Sequence, residues 1–374
     1  MDFEFSDEQE QLRDAVRRWV DKGFGFERRH ALAKAGGKTR EVLGELNELG
    51  LAGLAVPEAH GGMGFGAVEA MVVMEELGRG LVNAPYAQAA LVAPTLLSYA
   101  PAALQQAWLP KIAGGEALVV LAQQERASRY RLDQAATQAA EAGSNTWKLS
   151  GTKIVVPAGD EADAFVVSAR VAGAEGVALF LVDKGVAGLK LRGYPTQDGA
   201  RAADLVLAGT PATLLARDGL PALEHAADVA IAALCAEAVG LMDAMVKVTV
   251  EYMHQRKQFG VPIASFQALR HRIADVKMQL ELGRSMSYFA SLKLGEPAEA
   301  RRRALSQAKV QLGNSMRYVG QQCTQIHGGI GVTDEYVSSH YFKRLTMLEL
   351  SFGDTMHHLG EVSARMRDTA GVFS

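Results

Sequence analysis

Residues 348–359 read LELSFGDTMHHL, which sets two carboxylates, Glu349 and Asp354, and two histidines, His357 and His358, within ten positions. Side chains of these types hold metals, relay protons or act as general bases. On a helix Asp354 and His358 share a face, while His357 points about 100° away. A metal ion needs several convergent ligands, and no His-x-x-x-His pair or cysteine cluster supplies them, so no metal site is expected. A nucleophile triad is no better supported, because the chain has no Gly-x-Ser-x-Gly elbow. A general base and a solvated helix end remain as readings of the stretch.

Three other stretches carry candidate chemistry. In GGMGFGA, the spacing of Gly62, Gly64 and Ala67 imitates a dinucleotide fingerprint, but both flanks read as helix, so turn glycines explain it better. HQRKQFGVPIASFQ interrupts a long helical pattern with Arg256, Lys257, Gln258 and Phe259 before a restart at Ser265. Cations beside an aromatic at a helix junction suit a nucleotide, although Arg and Lys are also at home at any helix C-terminus. QIHGGIGVTDEY places Gly328, Gly329 and Gly331 after a helix, where backbone can approach a flat ligand or simply cap the helix. His327 beside them reads as a packed or capping histidine.

The elements that must carry these residues show as three textures. From Ser6 to about Leu97 apolar residues recur at helical spacing, as in EQLRDAVRRWV. From about Glu116 short apolar runs alternate with turn residues, as in WKLSGTKIVVPAG and VALFLVD, and read as six or more strands of one sheet or barrel. After Pro221 the chain is helical again, with four long helices and short loops, the pattern of a bundle. Strands framed by helices give an α+β chain, without the alternation of a parallel nucleotide-binding sheet. The expected domains are residues 1–115, helical; 116–220, a β-barrel; and 221–374, a four-helix bundle.

Composition narrows the function. The 374 residues, 48% apolar, suffice for more than one core. Lys plus Arg (39) nearly balances Asp plus Glu (42), with the signs interspersed, so nucleic acid is not an expected partner. Cys235 and Cys323 stand far apart in helical patterns, against a disulfide framework. No basic and apolar leader opens the chain and no run of about 18 uninterrupted apolar residues occurs, so a cytoplasmic protein without a membrane span is expected.

Together the segments VPEAHGGMGFGAVEAMVVMEELGR, WKLSGTKIVV, RKQFGVPIASFQALRHRIADVK and QIHGGIGVTDEY resemble the acyl-CoA dehydrogenase family over nearly the whole chain. That resemblance implies a helical N-terminal domain, a middle β-barrel, a C-terminal four-helix bundle, bound FAD and an acyl-CoA substrate. By resemblance, Arg256, Gln258, Phe259 and Gln267 reach the adenosine and pyrophosphate of FAD held mainly by a neighbouring subunit, and Gln325, Gly328 and Gly329 form the opposing clamp. Gln123, Gln124, Val156, Pro157 and Thr355 fall at the family's flavin positions. A shared cofactor implies an oligomer, and electron-transferring flavoprotein is the implied acceptor. CAEAVGLMD and GYPTQDG look closest to the small subunit of pimeloyl-CoA dehydrogenases.

The chain departs from the family where chemistry is done. Its flavin loop reads LAQQERASRYRLD, which keeps Glu125 but has Gln124 for threonine and loses the small glycines. Val155 and Pro157 replace the tryptophan and threonine on the flavin's other side. The family's Tyr-Glu-Gly-Thr turn aligns with Phe352, Gly353, Asp354 and Thr355, so Gly353 stands where the catalytic glutamate should be. The family's second base position aligns with Ala230, again no carboxylate, and Glu237 lies two turns beyond it, too far at roughly 10 Å. The Gly353 N–H is read as a donor to the thioester oxygen, since that role needs only backbone. Three readings follow: a base-lacking small subunit beside a homologous large one, a self-sufficient homo-oligomer with Asp354 as displaced base, and a flavin-binding scaffold. Arg126, Arg129 and Arg131 also place cations beside the flavin loop, where one could meet the distal carboxylate of a dicarboxylyl-CoA.

Overall fold

The computed structural model describes residues 4–143 and 146–369. Ser6 starts the first helix with a reciprocal cap: its hydroxyl accepts the Gln9 N–H, and the Gln9 side chain accepts the Ser6 N–H. The N-terminal helices are α1 (Asp7–Gly23), α2 (Phe26–Lys34), α3 (Arg40–Glu48), α4 (Ala67–Arg79), α5 (Ala93–Leu97) and α6 (Ala102–Ala113). A π-helical segment, Ala87–Val92, runs into α5.

The strands follow as β1 (Val119–Ala122), β2 (Gln138–Gly143), β3 (Thr146–Pro157), β4 (Ala164–Val171), β5 (Ala178–Asp183), β6 (Leu189–Pro195) and β7 (Arg201–Ala216). Their order in the sheet is β1-β4-β2-β3-β7-β5, with β6 on β7 and a further pairing of β4 with β5. Strands β1 and β2 pair in parallel with β4; the other ladders are antiparallel. Valine, leucine and phenylalanine fill β4 and β5, which are buried along nearly their whole length, as strands covered on both faces must be.

The last part is α7 (Leu220–Gln255), a two-residue hairpin of β8 (Lys257–Gln258) with β9 (Val261–Pro262), then α8 (Gln267–Lys293), α9 (Ala298–His327), α10 (Val337–Leu350) and α11 (Thr355–Thr369). An 18-residue window of α7 has a mean hydropathy of 1.9 and is 89% buried, which is how a core helix looks.

The chain divides into two compact units that do not follow the order of the sequence. One holds residues 1–30, 67–82 and 231–374. Its centre is the α9 stripe Leu305, Ala308, Leu312, Met316, Val319 and Cys323, spaced by three and four residues. Val239, Met242 and Met245 of α7, Val276 and Leu280 of α8, and Leu345 and Leu348 of α10 belong to the same core. Truncating one such leucine to alanine costs ~2–5 kcal/mol. Where α4 meets α7, Gly78 and Gly240 bring backbone against backbone: a Cβ on either would strike the other helix's carbonyls. The other unit holds residues 31–66 and 83–230, built on the sheet. Trp147 and Phe180 pack there with ring centroids 5.3 Å apart, and the buried Tyr86 hydroxyl donates to the Leu51 carbonyl at 3.0 Å.

Candidate functional site

In the sheet unit, β1 delivers Gln123 and Gln124, both half-buried, and then Glu125, which is 5% exposed. Along β3, Trp147, Leu149, Gly151 and Lys153 share one face by the two-residue period, so a lysine is sent into the interior. Lys153, with no exposed surface, donates to Glu125 Oε1 at 2.6 Å, Ser168 Oγ at 3.0 Å and the Gln123 carbonyl at 3.4 Å. Glu125 also accepts the Thr137 hydroxyl at 2.6 Å and the N–H groups of Thr137 at 3.1 Å and Ala136 at 2.5 Å. Burial pushes the Glu125 carboxyl up, but these donors outweigh it and hold the group below its usual range. Burial pushes Lys153 down to about 8, so it still carries its proton at neutral pH. This pair joins the loop after β1 to β3. Sequence reasoning kept Glu125 without finding its partner, although the alternation in WKLSGTK already pointed Lys153 inward.

Just after Lys153 the strand breaks its alternation. The β3–β7 register shifts between Lys153 and Val156, and Val155 adopts a left-handed φ of 52°. The Ile154 N–H donates to the Gln124 carbonyl at 2.9 Å, tying the two expected flavin segments together. Val155 is 38% exposed and Pro157 is exposed, whereas Val156 is 1% exposed and points into the core, so only its backbone can face a ligand. The arginines of this loop do not converge: Arg131 pairs with Asp133 at 2.5 Å, and Arg129, at a φ of 49°, lies over the Tyr130 ring.

In the helical unit, the hairpin between α7 and α8 exposes Arg256, Gln258 and Phe259, and Gln267 opens α8 exposed. Phe259 is 92% exposed and held at a φ of 53°. At the end of α9, Gln325, Gly328 and Gly329 are exposed, and Gly328 adopts φ 64°, ψ −140°, a conformation only glycine takes readily. A Cβ on Gly328 or Gly329 would meet nothing within 4 Å, so this cradle is open. Beneath it His327 donates from Nδ1 to the Cys323 carbonyl at 2.8 Å and packs at a tilt against the Tyr252 ring, with centroids 4.6 Å apart. Burial lowers the His327 pKa, and its Nε2 and the Thr324 hydroxyl are buried without a hydrogen-bond partner. A guanidinium, exposed amides, an uncovered aromatic ring and an open glycine cradle are the groups that a pyrophosphate and an adenine ring take up. These residues therefore fit the nucleotide half of FAD. For the ring, the sheet unit offers the Gln123 and Gln124 amides and apolar Val155 and Pro157. The Val155 N–H is committed to Asp204, and Pro157 has none.

The turn between α10 and α11 is built from below by a buried lysine. Lys309, with no exposed surface, donates to the Leu348 carbonyl at 2.5 Å and the Glu349 carbonyl at 3.0 Å, closing the end of α10. Phe352 and Gly353 follow at φ 56° and 111°. His358, 2% exposed, donates from Nε2 to the Phe352 carbonyl at 3.0 Å and meets Ser306 Oγ through Nδ1 at 3.2 Å. Burial, with Lys309 nearby, lowers its pKa to about 3, so the ring is neutral.

Each carboxylate near this turn has a structural partner. Asp354 Oδ1 accepts the His357 N–H at 2.8 Å, an N-cap for α11. Glu349 accepts the Thr355 N–H at 3.0 Å and hydroxyl at 2.7 Å, which also commits the buried Thr355 hydroxyl. Glu237 is gripped by Arg344 at 2.6 and 3.0 Å. Gly353 itself is sealed: a Cβ there would sit 2.5 Å from His357 Cδ2 and 2.6 Å from His358 Nε2. The histidines thus fill the space that a side chain at 353 would need.

His30, Asp334 and His340 bring three ligand-type atoms within 4.8 Å of one another. His340, however, donates from Nε2 to the Asp334 carbonyl at 2.8 Å and turns Nδ1 to the Arg29 guanidinium. A ring nitrogen facing a cation is a poor metal ligand.

Comparison with known proteins agrees along the chain. The acyl-CoA dehydrogenase N-terminal, middle and C-terminal domains match residues 6–116, 121–208 and 217–366. The chain is similar to acryloyl-CoA reductase (NADH) of Anaerotignum propionicum, 25% identical over 96% of this chain and 94% of the relative. Among solved structures it is similar to a variant of the Tcur3481-Tcur3483 steroid ACAD, 28% identical with a TM-score of 0.88 over 97% of this chain and 99% of that one. It is likewise similar to the ChsE4-ChsE5 complex from Mycobacterium tuberculosis, 26% identical with a TM-score of 0.87 over 98% and 99%. Matched from its first helix to its last, the chain belongs to the acyl-CoA dehydrogenase family, flavoprotein oxidoreductases that bind FAD and act on the CH–CH bond of acyl-CoA thioesters.

Proposed function

We propose that this chain is the small, base-lacking subunit of a hetero-oligomeric acyl-CoA dehydrogenase, of the kind seen in the small subunit of pimeloyl-CoA dehydrogenases, beside a homologous large subunit that carries the glutamate. The observation that carries this reading is Gly353: it bears no carboxylate, and the imidazoles of His357 and His358 occupy the room a side chain would need. Two relatives whose names join two chains, Tcur3481-Tcur3483 and ChsE4-ChsE5, support a paired assembly.

In this reading Arg256, Gln258, Phe259 and Gln267 hold the adenosine and pyrophosphate of FAD across a subunit boundary, and Gln325, Gly328 and Gly329 face them from another copy. In the sheet unit Gln123, Gln124, Val156 through its backbone and Pro157 line the flavin, whereas Thr355, buried with its hydroxyl on Glu349, serves the turn and not the ring. When bound, FAD supplies the acceptor for the hydride leaving the substrate's Cβ. This chain positions that cofactor and excludes water from it with its apolar Val155 and Pro157. The middle sheet works as a barrel, the acceptor is electron-transferring flavoprotein, and the assembly is cytoplasmic.

The test is to express the chain alone and with a homologue from a neighbouring gene. Flavin per subunit is read by absorbance, and a monocarboxylic or dicarboxylic acyl-CoA is added with an artificial electron acceptor. Turnover confined to the co-expressed pair is the expected result. Full turnover by the chain alone would overturn the reading in favour of a self-sufficient enzyme.

A further inference from the structure

Val155 is a β-branched residue in the left-handed region, a conformation that costs energy and persists only where its surroundings impose it. The register shows how it arises. Lys153 is opposite Leu205 and Val156 opposite Ala203, so Ile154 and Val155 together face a single residue, Asp204. This is a β-bulge, and its left-handed residue would ordinarily be glycine. Here the Val155 N–H donates to Asp204 Oδ1 at 3.3 Å, and the Tyr194 hydroxyl, arriving from β6, donates to the same oxygen at 2.9 Å. Burial first, and Asp204 next, raise the Tyr194 pKa to about 12, so the phenol stays a donor across the physiological range. On the other side the Ile154 N–H reaches Gln124, and Lys153 is locked to Glu125 and Gln123. The bulge is therefore fixed from both flanks.

We propose that Asp204, steadied by Tyr194, is a positioning residue for the flavin: it pins Val155 in its left-handed conformation and so fixes Val155 to Pro157 against Gln123 and Gln124. The inference rests on the reading above that these two segments line the cofactor. It explains why the irregular strand end persists although the aromatic and hydroxyl residues that the family carries there are gone. Asp204 reaches the cofactor only through the backbone it holds.

The experiment uses the assembled protein with its co-expressed partner and measures FAD affinity by titration of the deflavinated complex, the flavin absorbance spectrum, and melting with and without FAD. Asp204→Ala is expected to weaken FAD binding about tenfold, the scale of losing the bond that holds one strained residue, and to blur the resolved flavin band. Asp204→Asn keeps an acceptor and should stay within about threefold. Val155→Gly adopts the left-handed φ without help, so Asp204→Ala in that background should cost no more than about twofold, a non-additivity that a purely structural loss of Asp204 does not produce. Unchanged affinity and spectrum in Asp204→Ala, or an undiminished loss in the double variant, would overturn the proposal. Failure of the cofactor reading itself looks different: the wild-type complex would then be colourless and gain no thermal protection from FAD, and the proposal would fall with it.

Discussion

The Glu125–Lys153 pair in the sheet and the turn at Gly353 are both buried and polar, yet they answer to different constraints. In the sheet, the interior frame is fully satisfied, while Gln124, Val155 and Pro157 stand where the resemblance puts the family's flavin contacts. At the turn, the position that the resemblance aligns with the family's base is a glycine, and the space beside it is filled by His357 and by His358, which is anchored on the Phe352 carbonyl. An ion pair inside a sheet holds the fold and cannot lose one partner cheaply. A catalytic base does nothing for the fold, so its removal leaves stability intact and frees the site to close. In the proposed reading the chain keeps what positions a cofactor and leaves deprotonation of the substrate to its partner.

The largest expected effect tests the first half of that contrast. Lys153→Met leaves the Glu125 carboxylate buried against Thr137 and two backbone N–H groups with no counter-charge. It should destabilise the sheet unit by ~3–5 kcal/mol in denaturant unfolding, the usual cost of breaking a buried pair from one side. A loss under ~1 kcal/mol would mean that the pair is hydrated and not part of the frame.

Next comes an attempt to restore the base. Gly353→Glu must place a Cβ 2.5 Å from the His357 ring at a φ of 111°. It should lower stability by ~1–3 kcal/mol and give no turnover by the chain alone. His357→Ala in the same chain opens room and should recover part of the stability. Wild-type-like melting of Gly353→Glu with new activity would show that the turn is merely vacant, and the contrast with the sheet would fail.

Much of this was legible beforehand, and the rest was not for a physical reason. The three textures were visible because apolar periodicity is local, and Lys153 was visible in principle because a strand alternates. The sealing of Gly353 depends on two consecutive left-handed residues, Phe352 and Gly353, and on where a helix beginning at Thr355 throws its first turn. Spacing alone placed Asp354 and His358 on one face; the structure instead gives Asp354 to the helix cap and His358 to the Phe352 carbonyl. Asp204 was missed because its partner Val155 is 49 residues away. The division into units also departs from chain order, with α1 and α4 joining the bundle, because sequence adjacency does not dictate which apolar faces meet.

His358 predicts a pH dependence at the turn. An unfolded histidine titrates near ~6.5, whereas burial and Lys309 hold this one at about 3 in the folded chain, with His357 and Arg302 adding to the shift. The unfolded state therefore binds more protons in between. Stability is complete above about pH 6.5 and falls as pH drops toward the folded value, by at most ~1.4 kcal/mol per unit. Urea midpoints at pH 8 and pH 5 measure it, and His358→Gln should flatten the slope. An unchanged slope would place the acid-sensitive step elsewhere, at His340 beside Arg29 for example, where burial also lowers the pKa.

The smallest expected effect is also the one that divides the readings most cleanly. Asp354 accepts the His357 N–H, and asparagine is as good an N-cap as aspartate. Asp354→Asn should therefore shift stability by no more than ~0.5 kcal/mol and leave the turnover of the paired assembly within about twofold. Asparagine keeps the shape and the capping oxygen but cannot accept a proton from a substrate carbon. A displaced base would lose activity by orders of magnitude on this one-atom change, with folding untouched. Near-silence of the variant thus removes Asp354 from the chemistry and leaves its oxygen as the cap that keeps His357 turned into the space at Gly353.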